Sequence, residues 1–164
     1  VLLGFGRSPV PARLNLDTLE ACDPLPPEPL PDVTCGQPSI NPQADGAVFV
    51  WKDCDADNWH VKVTSASGYV KYRGSVVSGE AITNIVKDNV ESGDKFDDDD
   101  ETRIDFGLGV SNPWYDAFGF TVACGTDLQF NLTAPSGAQV LVGSERASAP
   151  SSFNLNELSL CAVP

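Results

Sequence analysis

The stretch Ile104-Asp105-Phe106-Gly107-Leu108-Gly109-Val110 decides the fold. Its large apolar residues fall at every second position, and the residues between them are charged or lack a side chain. A period of two belongs to an extended strand with one buried face; a helix would repeat its apolar residues every three or four. The same period recurs on both sides. Downstream, Phe118, Phe120 and Val122 alternate with small or polar residues, and so do Leu128, Phe130 and Leu132. Cys124 continues the phase of Phe118 and is expected to point inward. Residues 139–142 make another strand, and Phe153 and Leu155 begin a last segment. Upstream, Val70 and Tyr72 alternate with Lys71 and Arg73 after Gly68, and Trp59, Val61 and Val63 alternate with His60, Lys62 and Thr64. Residues 47–51 form a short apolar run. Residues 82–90 are β-branched without a readable period.

Glycine, proline, asparagine and aspartate punctuate these runs, and no stretch carries a capped 3.6-residue pattern. The expectation is an all-β chain: an antiparallel β-sandwich of Ig-like or jelly-roll type with an N-terminal strand and linker extension.

That extension repeats the chain's own end. Shifted by 139 residues, Val1-Leu2 lies on Val140-Leu141, Gly4 on Gly143, Arg7 on Arg146, Pro11 on Pro150, Asn15-Leu16 on Asn154-Leu155, Leu19 on Leu158 and Cys22 on Cys161; nine of 22 positions are identical without a gap. Composition alone gives roughly one or two matches. Internal repetition weighs heavily in any reading of a fold. Residues 1–22 read either as the tail of a preceding unit or as a donor segment that adds a strand to a neighbour. The tandem reading leads, because the replay includes the loop and the cysteine. In both, Val1, Leu2, Leu3, Leu14, Leu16 and Leu19 are the expected inter-subunit contacts.

Residues 23–34, Asp-Pro-Leu-Pro-Pro-Glu-Pro-Leu-Pro-Asp-Val-Thr, hold five prolines. Proline lacks an amide donor and fixes φ, so this stretch reads as a stiff spacer. Residues 35–161 are then the β-sandwich unit.

The formal net charge is −13, with a pI near 4.1. Such a surface repels nucleic acid and anionic membrane. No apolar run approaches the ~20 residues that span a bilayer, so membrane insertion is not expected. Methionine is absent, and the chain reads as a processed product or a segment of a longer one.

Cys22, Cys35, Cys54, Cys124 and Cys161 are widely spaced, with no CxxC pair, which points to disulfides and an oxidising, extracellular or cell-surface setting. Cys54–Cys124 is the preferred bridge within the unit. Cys35 is left to pair with Cys161, or with Cys22 across the linker. The odd cysteine, Cys22, belongs to the replay.

Two acidic stretches are candidate calcium ligands. Asp53, Asp55 and Asp57 alternate as in calcium loops, although Asn58 stands where an EF-hand needs glycine and Thr64 where it needs glutamate. Asp97, Asp98, Asp99 and Asp100 run consecutively into Glu101, and hard cations relieve such repulsion. Trp114 and Tyr115, after Asn112-Pro113, read as a loop pair able to stack on sugar rings, whereas Trp51 and Trp59 read as core. His60 stands alone, and no nucleophile elbow, HExxH or phosphate loop occurs, so an enzyme is not expected. Asn131-Leu132-Thr133 is a glycosylation sequon.

The leading expectation is a structural repeat of an extracellular filament, surface layer or adhesin, its partners being copies of itself joined head-to-tail. The alternative is a carbohydrate-binding module that engages polysaccharide through Trp114 and Tyr115.

Overall fold

The computed structural model describes Leu2–Leu3, Gly6–Arg7, residue 36, and residues 46–53, 57–143 and 145–158; at 2, 3, 6, 7, 157 and 158 it describes the backbone alone. The chain divides into two compact units, Val1–Pro31 and Asp32–Pro164. In the first, β1 (Leu2–Leu3) and β2 (Gly6–Arg7) pair as an antiparallel hairpin.

In the second unit the described residues are all-β, with two sheets face to face. The six-stranded sheet contains β3 (Ala47–Lys52), β4 (Asn58–Thr64), β6 (Thr83–Asp88), β9 (Tyr115–Thr121), β11 (Gln139–Val142) and β12 (Glu145–Ser148), in the order β12-β11-β3-β4-β9-β6. The five-stranded sheet contains β5 (Tyr69–Ser78), β7 (Lys95–Asp97), β8 (Arg103–Ser111), β10 (Leu128–Ala134) and β13 (Ser151–Asn154), in the order β13-β10-β5-β8-β7. One 3₁₀ turn, Leu155–Leu158, follows β13.

The core lies where the period of two places it. Ile104, Phe106, Leu108 and Val110 of β8 face Phe118 and Phe120 of β9 across the sandwich, and Phe130, Val61, Val76 and Val140 complete the same cluster. Phe106 lies 5.4 Å from Phe118 and 5.9 Å from Phe130, ring centre to ring centre. Each such side chain stabilises the fold by about 1.5–3 kcal/mol through burial. Tyr72 is buried as well; its hydroxyl donates to the Thr64 carbonyl oxygen at 2.9 Å, and burial raises its pKa.

Three local features extend or correct the sequence reading. First, β3 is buried along its whole length. Val48 and Val50 enter the main core, while Ala47, Phe49 and Trp51 form a second cluster with Leu141 on the opposite face. Its partner β11 runs parallel to it, from Gln139↔Ala47 to Val142↔Val50, so the sandwich is not wholly antiparallel. A continuous apolar run without alternation is the expected signature of a strand covered on both faces. Second, residues 82–90 hold the edge strand β6. Its pairing with β9 jumps from Thr83↔Thr121 to Val86↔Gly119, a bulge that breaks the period. Third, Cys124 does not point inward. Strand β9 ends at Thr121, and Cys124 lies exposed in the turn closed by Thr126 N–H to the Ala123 carbonyl oxygen, so the phase of Phe118 no longer applies to it.

Candidate functional site

The outer face of the six-stranded sheet carries an open groove of about 560 Å³. Outward positions of β9 are Tyr115, Ala117, Gly119 and Thr121, because Phe118 and Phe120 take the inward phase. Ala117 and Gly119 are therefore a floor almost without side chains. On either side, β4 contributes Asn58, His60 and Lys62, and β6 contributes Asn84, Val86 and Asp88.

Each wall is held by specific contacts. His60 pairs with Trp51 across β3 and β4, and their rings stack at 5.1 Å and 16°. His60 Nε2 lies 3.1 Å from Asp53 Oδ1, and the buried nitrogen makes no hydrogen bond. On the opposite wall Val86 is 64% exposed, unusual for an apolar strand residue.

The two ends are polar. At one, Thr121 Oγ1 donates to Asn58 Oδ1 at 2.9 Å and accepts from Asn84 Nδ2 at 3.5 Å. The β6 bulge brings Asn84 there, with its backbone left-handed at φ 51, a conformation that asparagine tolerates. At the other end the Tyr115 hydroxyl donates to Asp88 Oδ2 at 2.9 Å, and the adjacent carboxylate raises the tyrosine pKa. The Lys62 ammonium stands 3.8 Å above the Tyr115 ring centre, a favourable cation–π distance.

The floor glycine is not required by the backbone. A Cβ on Gly119 would meet Trp59 O at 3.4 Å and His60 Nδ1 at 3.5 Å, both ordinary contacts. At Gly74 a Cβ would strike the Asn131 carbonyl oxygen at 2.2 Å, so that glycine is needed for β5 to pair with β10.

Of the two aromatic residues proposed for sugar stacking, only Tyr115 reaches this groove, and it lies in β9 rather than in a loop. Trp114 is 71% exposed in the turn before β9 and does not line it. Trp59 belongs to the main core and Trp51 to the second cluster. The sequon residue Asn131 sits within β10, where its Nδ2 lies 3.4 Å from Ser75 Oγ.

The acidic residues are dispersed. Asp57 pairs with Lys52 at 2.8 Å, and Asp53 lies beside His60. Asp98 pairs with Lys87 at 3.2 Å. Asp100 accepts the Thr102 amide at 2.9 Å and the Thr102 hydroxyl at 2.8 Å, which lowers its pKa. Asp97 ends β7 opposite Asp105, and Asp99 lies in the turn that follows. Among the described residues no three His, Cys, Asp or Glu side chains converge as metal ligands would. Asp55 lies outside the described residues.

Sequence reasoning passed over Asp116. It is 5% exposed on the inner face of β9, and its Oδ2 has no hydrogen-bond partner. Burial first, and then the neighbouring charges of Asp94 and Glu91, push its pKa up to about 6. A carboxylate at the phase of Phe118 and Phe120 was the available signal.

Cys124 is disulfide-bonded. Cys22, Cys35, Cys54 and Cys161 lie outside the described residues, as do Val1, Leu14, Leu16 and Leu19. Leu2 and Leu3 are described in backbone only and form β1.

The first hairpin shares its register with another. In β1–β2, Leu2 pairs with Arg7 and Leu3 with Gly6. In β11–β12, Leu141 pairs with Arg146 and Val142 with Glu145. Adding 139 to the first pairs gives the second pairs.

No protein-family model, curated protein or solved structure matches this chain.

Proposed function

We propose that this chain is a stretch of a tandem array, in which one β-sandwich unit follows the closing hairpin of another, and that the array is a structural protein of an extracellular filament, surface layer or adhesin. The observation that carries the reading is the common register: Leu2↔Arg7 and Leu3↔Gly6 repeat as Leu141↔Arg146 and Val142↔Glu145. In the unit Asp32–Pro164, that hairpin docks by pairing β11 along β3. A donor segment would offer one open strand edge to a neighbour. A hairpin whose strands already pair with one another supports the tail of a unit instead. Residues 23–34 then serve as the spacer between units and residues 35–161 as the repeat. The sandwich is proposed to be of Ig-like or jelly-roll type, since the chain passes repeatedly from one sheet to the other. An extracellular setting is supported by the disulfide at Cys124.

Removal of residues 1–31 tests the reading. A tail that belongs to another unit leaves the melting temperature of Asp32–Pro164 unchanged, and the intact chain shows no concentration-dependent self-association in sedimentation velocity. Self-association of the intact chain that disappears on removal of 1–31 would establish donor-strand exchange instead. Two units joined at the 139-residue period should give two evenly sized bodies by small-angle scattering.

A further inference from the structure

We propose that the groove on the outer face of the six-stranded sheet binds a neutral saccharide, with its sugar ring seated on Gly119 and Ala117. The proposal does not depend on the tandem reading.

The shape comes first. Glycine weakens a strand interior, and one that persists there without a backbone reason often marks the close approach of a ligand or another backbone. Gly119 has no positive φ and would accept a Cβ at ordinary contact distance. What its missing side chain provides is the trough itself, between His60 on β4 and Val86 on β6. The trough's volume, about 560 Å³, lies within the range of about 300–1,000 Å³ typical of small-ligand sites.

The chemistry of the lining selects the class of ligand. The walls are an imidazole held flat against Trp51 and the exposed isopropyl group of Val86, surfaces that suit the C–H faces of a sugar ring. The ends offer both donors and acceptors. Asn58 keeps its amide N–H groups for a ligand, Asn84 keeps its carbonyl oxygen, and Asp88 keeps Oδ1 after accepting Tyr115 on Oδ2. Hydroxyl groups at both ends of a ligand would use all of these, since a hydroxyl donates and accepts at once. Lys62 and Asp88 offset one another locally, and the chain as a whole carries −13, so an anionic sugar or a nucleotide is disfavoured. The bulge at Asn84 is the second indication, because bulges re-aim side chains beside binding sites.

The test is a ¹H–¹⁵N NMR titration of the full chain with four neutral hexasaccharides, built from glucose, mannose, galactose or xylose, and with hexagalacturonate as the anionic control. At least one neutral hexasaccharide should shift the amides of Ala117 and Gly119 and the Trp51 indole, whereas hexagalacturonate should not. Gly119→Val fills the trough, and it should weaken binding about tenfold or more while the melting temperature holds. Asn58→Ala, at an exposed position, should weaken binding with no effect on folding and serves if the valine variant misfolds. The proposal is overturned if no neutral hexasaccharide moves these signals, if hexagalacturonate binds as well as the neutral sugars, or if the folded variants bind like the parent chain.

Discussion

Leu141 lies opposite Arg146 across the β11–β12 hairpin, buried at 7% exposure among Ala47, Phe49 and Trp51. Its counterpart in the replay, Leu2, lies opposite Arg7 in the separate unit Val1–Pro31. Under the tandem reading the two equivalent positions belong to different units, and one substitution separates them. Leu141→Ala should cost about 2–5 kcal/mol by leaving a cavity against Phe49 and Trp51. Leu2→Ala should leave the main unfolding transition where it is. Urea denaturation followed by tryptophan fluorescence measures both.

Two strand glycines, one in each sheet, predict opposite results. Gly74→Ala forces a Cβ onto the Asn131 backbone oxygen and should destabilise the fold by about 1–3 kcal/mol or more, since β5 and β10 must separate. Gly119→Ala meets no such obstacle and should be neutral or stabilising by about 0.4–1 kcal/mol through the unfolded state. Thermal melts of the two variants check the contrast.

Asp116 sets a pH dependence opposite to that of most carboxylates. Its folded pKa of about 6 lies above the unfolded value, so the folded chain holds the extra proton between about pH 4 and 6. The stability this contributes is full below the unfolded pKa and is lost as pH rises through the folded one. Asp100 and Asp105, whose pKa values are lowered by Thr102 and Arg103 respectively, act with the opposite sign and lose their contribution as pH falls. Asp116→Asn should therefore stabilise at pH 7, by about 2 kcal/mol if the burial is only partly relaxed by water, and have little effect at pH 4. Denaturant midpoints at the two pH values measure it.

Cys54 is the expected partner of Cys124. Asn58 pairs with Thr121 at one end of the β4–β9 ladder, which directs the chain before Asn58 and the chain after Thr121 toward the same end of the sheet. Peptide mapping without reductant should recover the Cys54–Cys124 linkage, and reduction should lower stability by about 2–4 kcal/mol. A Cys124 linkage to Cys22, Cys35 or Cys161 would refute the assignment.

Calcium at either acidic stretch would compete with existing partners, since Asp57, Asp98 and Asp100 are engaged by Lys52, Lys87 and Thr102. A rise in melting temperature on adding calcium, reversed by a chelator and abolished by Asp55→Asn, is the expected outcome if Asp53, Asp55 and Asp57 form a site, and an unchanged melting temperature would count against one.

Much of the sandwich was legible in the sequence because a half-buried strand writes its burial into alternate residues. Ile104 to Val110, Phe118 to Phe120 and Leu128 to Leu132 all enter the core at the phase they announce. The replay of residues 1–22 was equally legible, as was the exposure of Trp114. These are properties of one strand or of one stretch matched with another, and they need no partner to be read. What lies between strands could not be read this way. The parallel pairing of β3 with β11, the bulge that brings Asn84 to Thr121 and the meeting of His60, Gly119 and Val86 depend on which strands become neighbours. Strand order is a matter of long-range packing, and local alternation is silent about it. The sequence alone therefore determined that these residues would build sheets and that residues 1–22 match residues 140–161; tertiary structure decided that Gly119 would floor a groove and that Asn84 would reach Thr121.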